Sequence, residues 1–244
     1  MSTLLMRLAG PMQSWGVESR FSIRDTAREP SKSGVLGLLC AALGKPREER
    51  DGDGFPQLDE LAALPFGVRV DRAGRMSRDY QTAGGSHRAG ESYGVAKAKG
   101  KTRDTVVSER FFLADAEFVV GLQGADLLIE RLVRALQSPC WPLYLGRKSY
   151  VPTRPTLDSV SSAGLREALS RASWFARTAH ELNNPPARLR AVFEAPADEG
   201  SVRMDVPVSF ATRRFAGRRL AVEWIELARD LVKEDPHVSE PTGS

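Results

Sequence analysis

Apolar residues run almost unbroken from Leu4 to Leu8, as in a strand covered on both faces rather than one that alternates. They are nearly continuous again from Val35 to Leu43, bounded by Ser31 and by Gly44 with Pro46, which predicts a buried helix that is apolar all round. Phe66, Val68 and Val70 alternate with other residues and predict a second strand. Further strands are expected at 111–113 and 118–120. Asp126 is expected to cap a helix whose apolar positions Leu128, Leu132, Val133 and Leu136 share one face. Prolines 139, 142, 152 and 155 break up the segment after that helix. A weaker helix is expected at 164–177, with strands at 189–193, 206–210 and 220–225.

The order strand, helix, strand, insertion, strand, helix predicts an α+β fold. Its expected form is a ferredoxin-like antiparallel sheet with two main helices and something projecting from its middle hairpin. The insertion, residues 78–110, is polar, rich in Gly, Ser and Lys, and too long for an ordinary connection. Residues 45–59 are charged and Gly-rich and read as a surface loop. A single domain over 1–232 is expected, with residues 233–244 a frayed tail.

The start of the apolar helix is chemically suggestive. In Ser31-Lys32-Ser33-Gly34 a serine can cap the helix, and the first-turn N–H groups with the positive end of the dipole attract an anion. Arg20, Arg24 and Arg28 lie just upstream, and Pro30 makes that segment a loop rather than a longer helix. Gly34 and Gly37 fit either close approach of a ligand or close packing on a strand. The spacing is not that of a nucleotide-triphosphate loop: six residues separate Gly37 from Gly44, and Lys45 is followed by proline.

Charge distribution points the same way. The formal net charge is only +4. From Arg78 to Arg110, however, seven Lys or Arg face four acids, and from Arg203 to Arg219 five arginines face only Asp205. Arg147, Lys148 and Arg154 add a further basic segment. Separated basic segments suit an extended phosphate backbone if the fold gathers them; solubility is the plain alternative. No run is long enough to span a membrane, and no basic-then-apolar leader opens the chain, so a cytoplasmic protein without membrane contact is expected. Cys40 and Cys140 have no Cys-x-x-Cys neighbour, and neither a metal nor a cofactor is expected.

Catalysis has few candidates. Among three histidines, His87 lies in the polar insertion. With Tyr80 or Tyr93 and Lys97 it can be drawn as a metal-independent ribonuclease site, but a Gly-rich loop does not hold groups within catalytic tolerance. The run Tyr144 to Ser149 offers an aromatic face, a glycine, two cations and a hydroxyl, a set that can stack a base and hold its phosphate. Phe210 to Arg214 again sets cations beside an aromatic. A protein scaffold whose arginines meet acidic partners is a third reading.

Taken in order, Leu5 to Gly16, Arg24 to Leu39, Arg78 to Thr82, Tyr144 to Ser149 and Phe210 to Arg213 resemble the CasD family. These are the type I-E CRISPR Cascade subunits that hold the 5′ handle of the guide RNA. The resemblance implies an RNA-recognition-motif-type domain whose hairpin "thumb" falls on the 78–110 insertion. It implies a non-catalytic crRNA-binding role, with contacts to the adjacent backbone subunit and the large subunit, and to target DNA only indirectly. Carried over by position, the RNA-binding residues are Arg24, Arg28, Lys32, Ser33, Tyr80, Gln81, Arg110, Tyr144, Arg147, Lys148 and Arg213. Gln81 stands where the family often has histidine; it still donates and accepts hydrogen bonds but does not titrate near neutrality.

Overall fold

The buried run at the start of the chain becomes the strand Ser2–Ala9, which lies inside the main sheet of a computed structural model describing residues 1–16, 19–20, 22–50, 52–84, 95–96 and 103–237. Seven strands lie in the order Leu157–Ser161, Ser2–Ala9, Glu117–Gly124, Phe66–Arg72, Arg188–Glu194, Arg214–Glu226 and Ser201–Ser209. Every neighbouring pair is antiparallel. The chain is therefore mixed α+β, with antiparallel sheets and few helices.

Both faces of this sheet are covered, which is why its first strand is apolar throughout. On one face Leu4, Met6 and Leu8 join Phe66, Val68, Phe118 and Val120 under the helices Lys32–Leu43 and Asp126–Gln137. On the other, Leu5, Val119, Ala191 and Phe193 pack with Leu169 of the helix Leu165–Arg171. The Lys32–Leu43 helix starts where the serine pattern placed it. Ser31 is the N-cap, accepting from the Gly34 N–H at 3.2 Å. Its end is closed by Gly44 at φ +75°, after which the Lys45 N–H reaches the Cys40 carbonyl at 2.9 Å.

One strand residue runs against the apolar pattern. Arg7 is buried and donates to Asp71 and Glu117, each at 3.0 Å, to Asp158 at 2.8 Å and to the Ser173 carbonyl at 2.7 Å. Burial works against its charge, but the three carboxylates outweigh burial and hold the guanidinium pKa above its ordinary value.

Three boundaries differ from the sequence expectation. The helix expected over 164–177 stops at Arg171, and Trp174–Ala176 is a strand instead. Asp126 is the first helical residue rather than the cap; its carboxylate accepts from Ser2 Oγ at 2.7 Å, and Ala125 caps with no side-chain bond. The frayed tail expected from residue 233 is corrected over 233–237. Val232–Glu234 pairs in parallel with Trp174–Ala176, and Asp235 is 2% exposed, held by Arg154 at 2.5 Å. A buried carboxylate with an arginine partner docks this segment. Residues 238–244 lie outside the described ones.

The insertion is built on a long hairpin. Arg75–Ala83 pairs with Val106–Ala114 in unbroken antiparallel register, Arg75 opposite Ala114 and Ala83 opposite Val106. Its root thus begins three residues before the expected boundary and ends four after. Short strands 12–13 and 23–24 line the free edge of Val106–Ala114.

Candidate nucleic-acid interface

The anion site expected at the Lys32 helix is already filled from within the chain. Asp205, 1% exposed, accepts the backbone N–H of Lys32 at 2.9 Å and is gripped by Arg218 at 2.6 and 2.8 Å. The carboxylate and the first-turn N–H group match as the dipole argument requires, but the anion is the protein's own. Lys32 itself is buried, its ammonium 2.7 Å from Glu194. Burial pushes its pKa below the ordinary value, and Glu194 restores only part of it. Lys32 is therefore corrected from a phosphate ligand to an internal anchor. Ser33 is half-buried, with its hydroxyl 3.5 Å from that of Ser31. Gly34 is explained by packing: a Cβ there would stand 2.9 Å from Trp15 Cε3. The Trp15 ring is fixed in turn by Nε1–H donation to Gln13 at 3.1 Å.

The hairpin root separates the other expected residues by face. Cross-strand partners share a side, and successive residues alternate. Asp79 and Gln81 lie opposite Arg110 and Ser108 on one side. Arg24 pairs with Arg110 from the neighbouring strand and joins that side. Gln81 donates to Asp79, and Arg110 Nε donates to Ser108 Oγ at 3.1 Å. Tyr80 points the other way. It is 65% exposed and shares its side with Met76 and Val107, together with the surface ion pair Arg78–Glu109 and, from the 23–24 strand, exposed Ile23.

The Tyr144 to Ser149 loop docks on the Arg110 side, because the Tyr150 ring packs against Phe112 with centroids 6.0 Å apart. Arg147 ties the parts together. It donates to Tyr150 Oη at 2.7 Å, to the Phe111 carbonyl at 3.0 Å and to the Arg24 carbonyl at 3.3 Å, and its guanidinium lies 5.4 Å from the Tyr150 ring centre. Gly146, at φ +100°, allows this approach: a Cβ there would sit 1.8 Å from the Ser14 carbonyl oxygen. Lys148 is exposed, and Tyr144 is half-buried. Arg24, Arg110 and Arg147, from three sequence segments, are thus gathered at one place, with Lys148 next to Arg147 in the chain.

Arg28 is exposed next to Glu29, which no sequence pattern singled out. Glu29 is buried and accepts from Arg190 at 2.6 Å and from Arg203. Burial favours its neutral form, yet the two arginines hold its pKa below the ordinary value. Tyr150 was likewise missed; only its spacing three residues after Arg147 could have suggested the pair. Arg213 is exposed at φ +53° in the turn between Ser201–Ser209 and Arg214–Glu226, on an element that packs against the Lys32 helix through Phe210. Among the described residues no hydrogen bond or ion pair joins it to the Arg24 and Arg110 group. His87, Arg88, Tyr93, Lys97, Lys99 and Lys101 lie outside the described residues, so the ribonuclease set does too, apart from Tyr80.

Residues 3–221 match the family model described as CRISPR-associated protein (Cas_Cas5), and the chain belongs to that family. Within it, the chain is 39% identical over 165 residues to the CRISPR system Cascade subunit CasD of Escherichia coli (strain K12), covering 63% of this chain and 69% of that protein. A solved structure described as a crystal structure of a Cas protein superposes with TM-score 0.70 at 41% identity, over 96% of this chain and 99% of that one. Another, a chain of a CRISPR RNA-guided surveillance complex, gives TM-score 0.79 at 34% identity, over 97% and 95%.

Proposed function

We propose that this chain is a non-catalytic subunit of a type I-E Cascade surveillance complex, in which it holds the 5′ handle of the crRNA and caps the backbone filament. The observation that carries this reading is the gathering of Arg24, Arg110 and Arg147 at the hairpin root, with exposed Lys148 next to Arg147 in the chain. The relatives' names, a Cascade subunit and an RNA-guided surveillance complex, support the assembly. The sheet order of its first four strands, Leu157–Ser161, Ser2–Ala9, Glu117–Gly124 and Phe66–Arg72, supports the ferredoxin-like reading of one domain.

In this mechanism Arg24, Arg110 and Lys148 meet phosphates, while Arg147 holds the loop and hairpin in register. Gln81, Tyr144 and Arg28 flank that path and supply contacts to splayed bases and sugars. The opposite side of the hairpin exposes Tyr80, Met76, Val107 and Ile23 around the Arg78–Glu109 ion pair and suits the adjacent backbone subunit. Contact with the large subunit, and through it with target DNA, belongs to the assembled complex.

Binding of handle RNA by the assembled complex is expected to weaken with salt, with a log–log slope of roughly −0.7 for each phosphate neutralised. The Arg24→Ala, Arg110→Ala double variant is expected to lose affinity and to flatten that slope. An unchanged slope would sink the electrostatic account. Labelled repeat RNA incubated with the purified chain in EDTA is expected to stay intact; a specific cut that disappears in His87→Ala would establish the endoribonuclease alternative.

A further inference from the structure

The edge strand Ser201–Ser209 is inside out. Arg203, Asp205 and Pro207 point inward, where Arg203 meets Glu29 and Asp205 meets Arg218 and the start of the Lys32 helix. Val202 and Met204 turn outward, and Val208, beyond register shifts at 203–206 and 207–209, is exposed as well; the three are 62%, 57% and 44% exposed. A strand that faces water normally turns polar residues outward. An edge strand is also where bare apolar residues invite association, so such a row calls for a partner. At Gly217 on the neighbouring strand a Cβ would stand 3.1 Å from Met204 Sδ and 3.4 Å from Val202 Cγ1, so the two side chains close over it into a continuous ridge.

The surrounding charge indicates what covers it. Arg213 and Arg214 are exposed at the turn, and Arg219 lies across from Val202. Within 201–219 the one acid is Asp205, which is turned inward and neutralised. Asp198 and Glu199 stand only at the far end, in the loop before the strand. Apart from Phe215, 38% exposed on the paired strand, the ridge is aliphatic and suits protein side chains better than bases, which stack on aromatic faces. The cations at its turn end favour carboxylates.

We propose that this outer row is a docking surface for another protein subunit, one that presents apolar side chains flanked by Asp or Glu placed against Arg213 and Arg214. The inference rests on the assembly part of the proposed function and is independent of the handle site. It assigns Arg213, an RNA ligand by family resemblance, to a protein contact.

The test is co-expression with the other complex subunits, read by native mass spectrometry and by dissociation on dilution. Met204→Glu is expected to release the chain, or the subunit bound to it, about tenfold faster or more, as loss of one well-packed apolar contact implies. Arg213→Asp with Arg214→Glu is expected to act likewise, to weaken the salt dependence of docking, and to keep a left-handed residue tolerable at 213. Both sites are exposed, so melting of the isolated variants should match the parent chain. If Met204→Glu misfolds, the arginine variant decides alone. Assembly indistinguishable from the parent chain overturns the proposal. Retention of every protein subunit with loss of RNA overturns it in favour of a nucleic-acid surface. A dimer of the isolated chain abolished by Met204→Glu overturns it in favour of a second copy. If the parent chain itself fails to enter a complex, it is the assembly reading that falls.

Discussion

Replacing Asp205 with alanine removes the internal anion from the start of the Lys32 helix. Two groups then lose a partner: the backbone N–H of Lys32, and the Arg218 guanidinium, which is almost wholly buried. Breaking one side of a buried ion pair costs about 3–5 kcal/mol. The lower end applies, because Arg218 keeps Glu194 at 3.7 Å and the face of Phe66 at 4.8 Å. For a chain of this size each kcal/mol moves the melting midpoint by roughly 2–4 °C, so Asp205→Ala should melt about 6–12 °C lower. Asp205→Asn keeps an acceptor for the Lys32 N–H and should lose less. The vacated site should take a small anion, so acetate or phosphate should raise the midpoint of Asp205→Ala more than that of the parent chain. Thermal and urea unfolding of the three proteins, with and without added anion, measure all of this. A loss below about 1 kcal/mol, or an anion response equal to the parent's, would refute the reasoning.

Three other outcomes are expected. Lys32→Met should leave RNA affinity and its salt slope unchanged, since Lys32 contacts Glu194 and not the surface; filter binding on the assembled complex decides this. Arg147→Ala should weaken handle retention and also raise the exchange rate of amides around Arg24 and Phe111, because it frees both carbonyls; Arg147→Lys, which keeps charge but not the fork, should rescue neither fully. Glu29 has a folded pKa below its unfolded value of about 4.3, so its stabilisation is complete above that pH and is lost as pH falls through the folded value. Glu29→Gln should therefore flatten the acid limb of a urea-midpoint series below about pH 4.3, and an unaltered acid limb would rule this group out.

Much of the scaffold was legible because burial writes itself into periodicity. The first strand, the Ser31-capped helix and the 126–137 helix follow from apolar spacing alone. What periodicity could not show is where charge goes inside. Arg7 sits in a run read as apolar, yet its three carboxylate partners lie 64, 110 and 151 residues away. The same blindness misplaced Lys32: a lysine at a helix start reads as a surface cation until Glu194, 162 residues on, is known to cover it. Asp205 was visible only as the lone acid in a basic segment, a clue to neutralisation that composition records as charge. The tail was misjudged for a related reason, since its polar composition hides the one buried carboxylate, Asp235, that fastens it. The hairpin was found by its polarity and length, but the side on which each residue falls depends on register, which a Gly-rich insertion does not encode.

That register carries a rule about length. Arg24 and Arg110 share one surface of the ribbon, and Tyr80 and Ile23 the other, only because each strand advances by single residues between two opposed sides. Adding or deleting one residue between Arg75 and Tyr80 would turn Tyr80 to the Arg110 side and Gln81 to the other, unless a bulge absorbed it. Two residues would lengthen the ribbon and leave its sidedness intact. Natural variation in the hairpin is therefore expected to come in even steps along the paired strands, with odd changes confined to its tip.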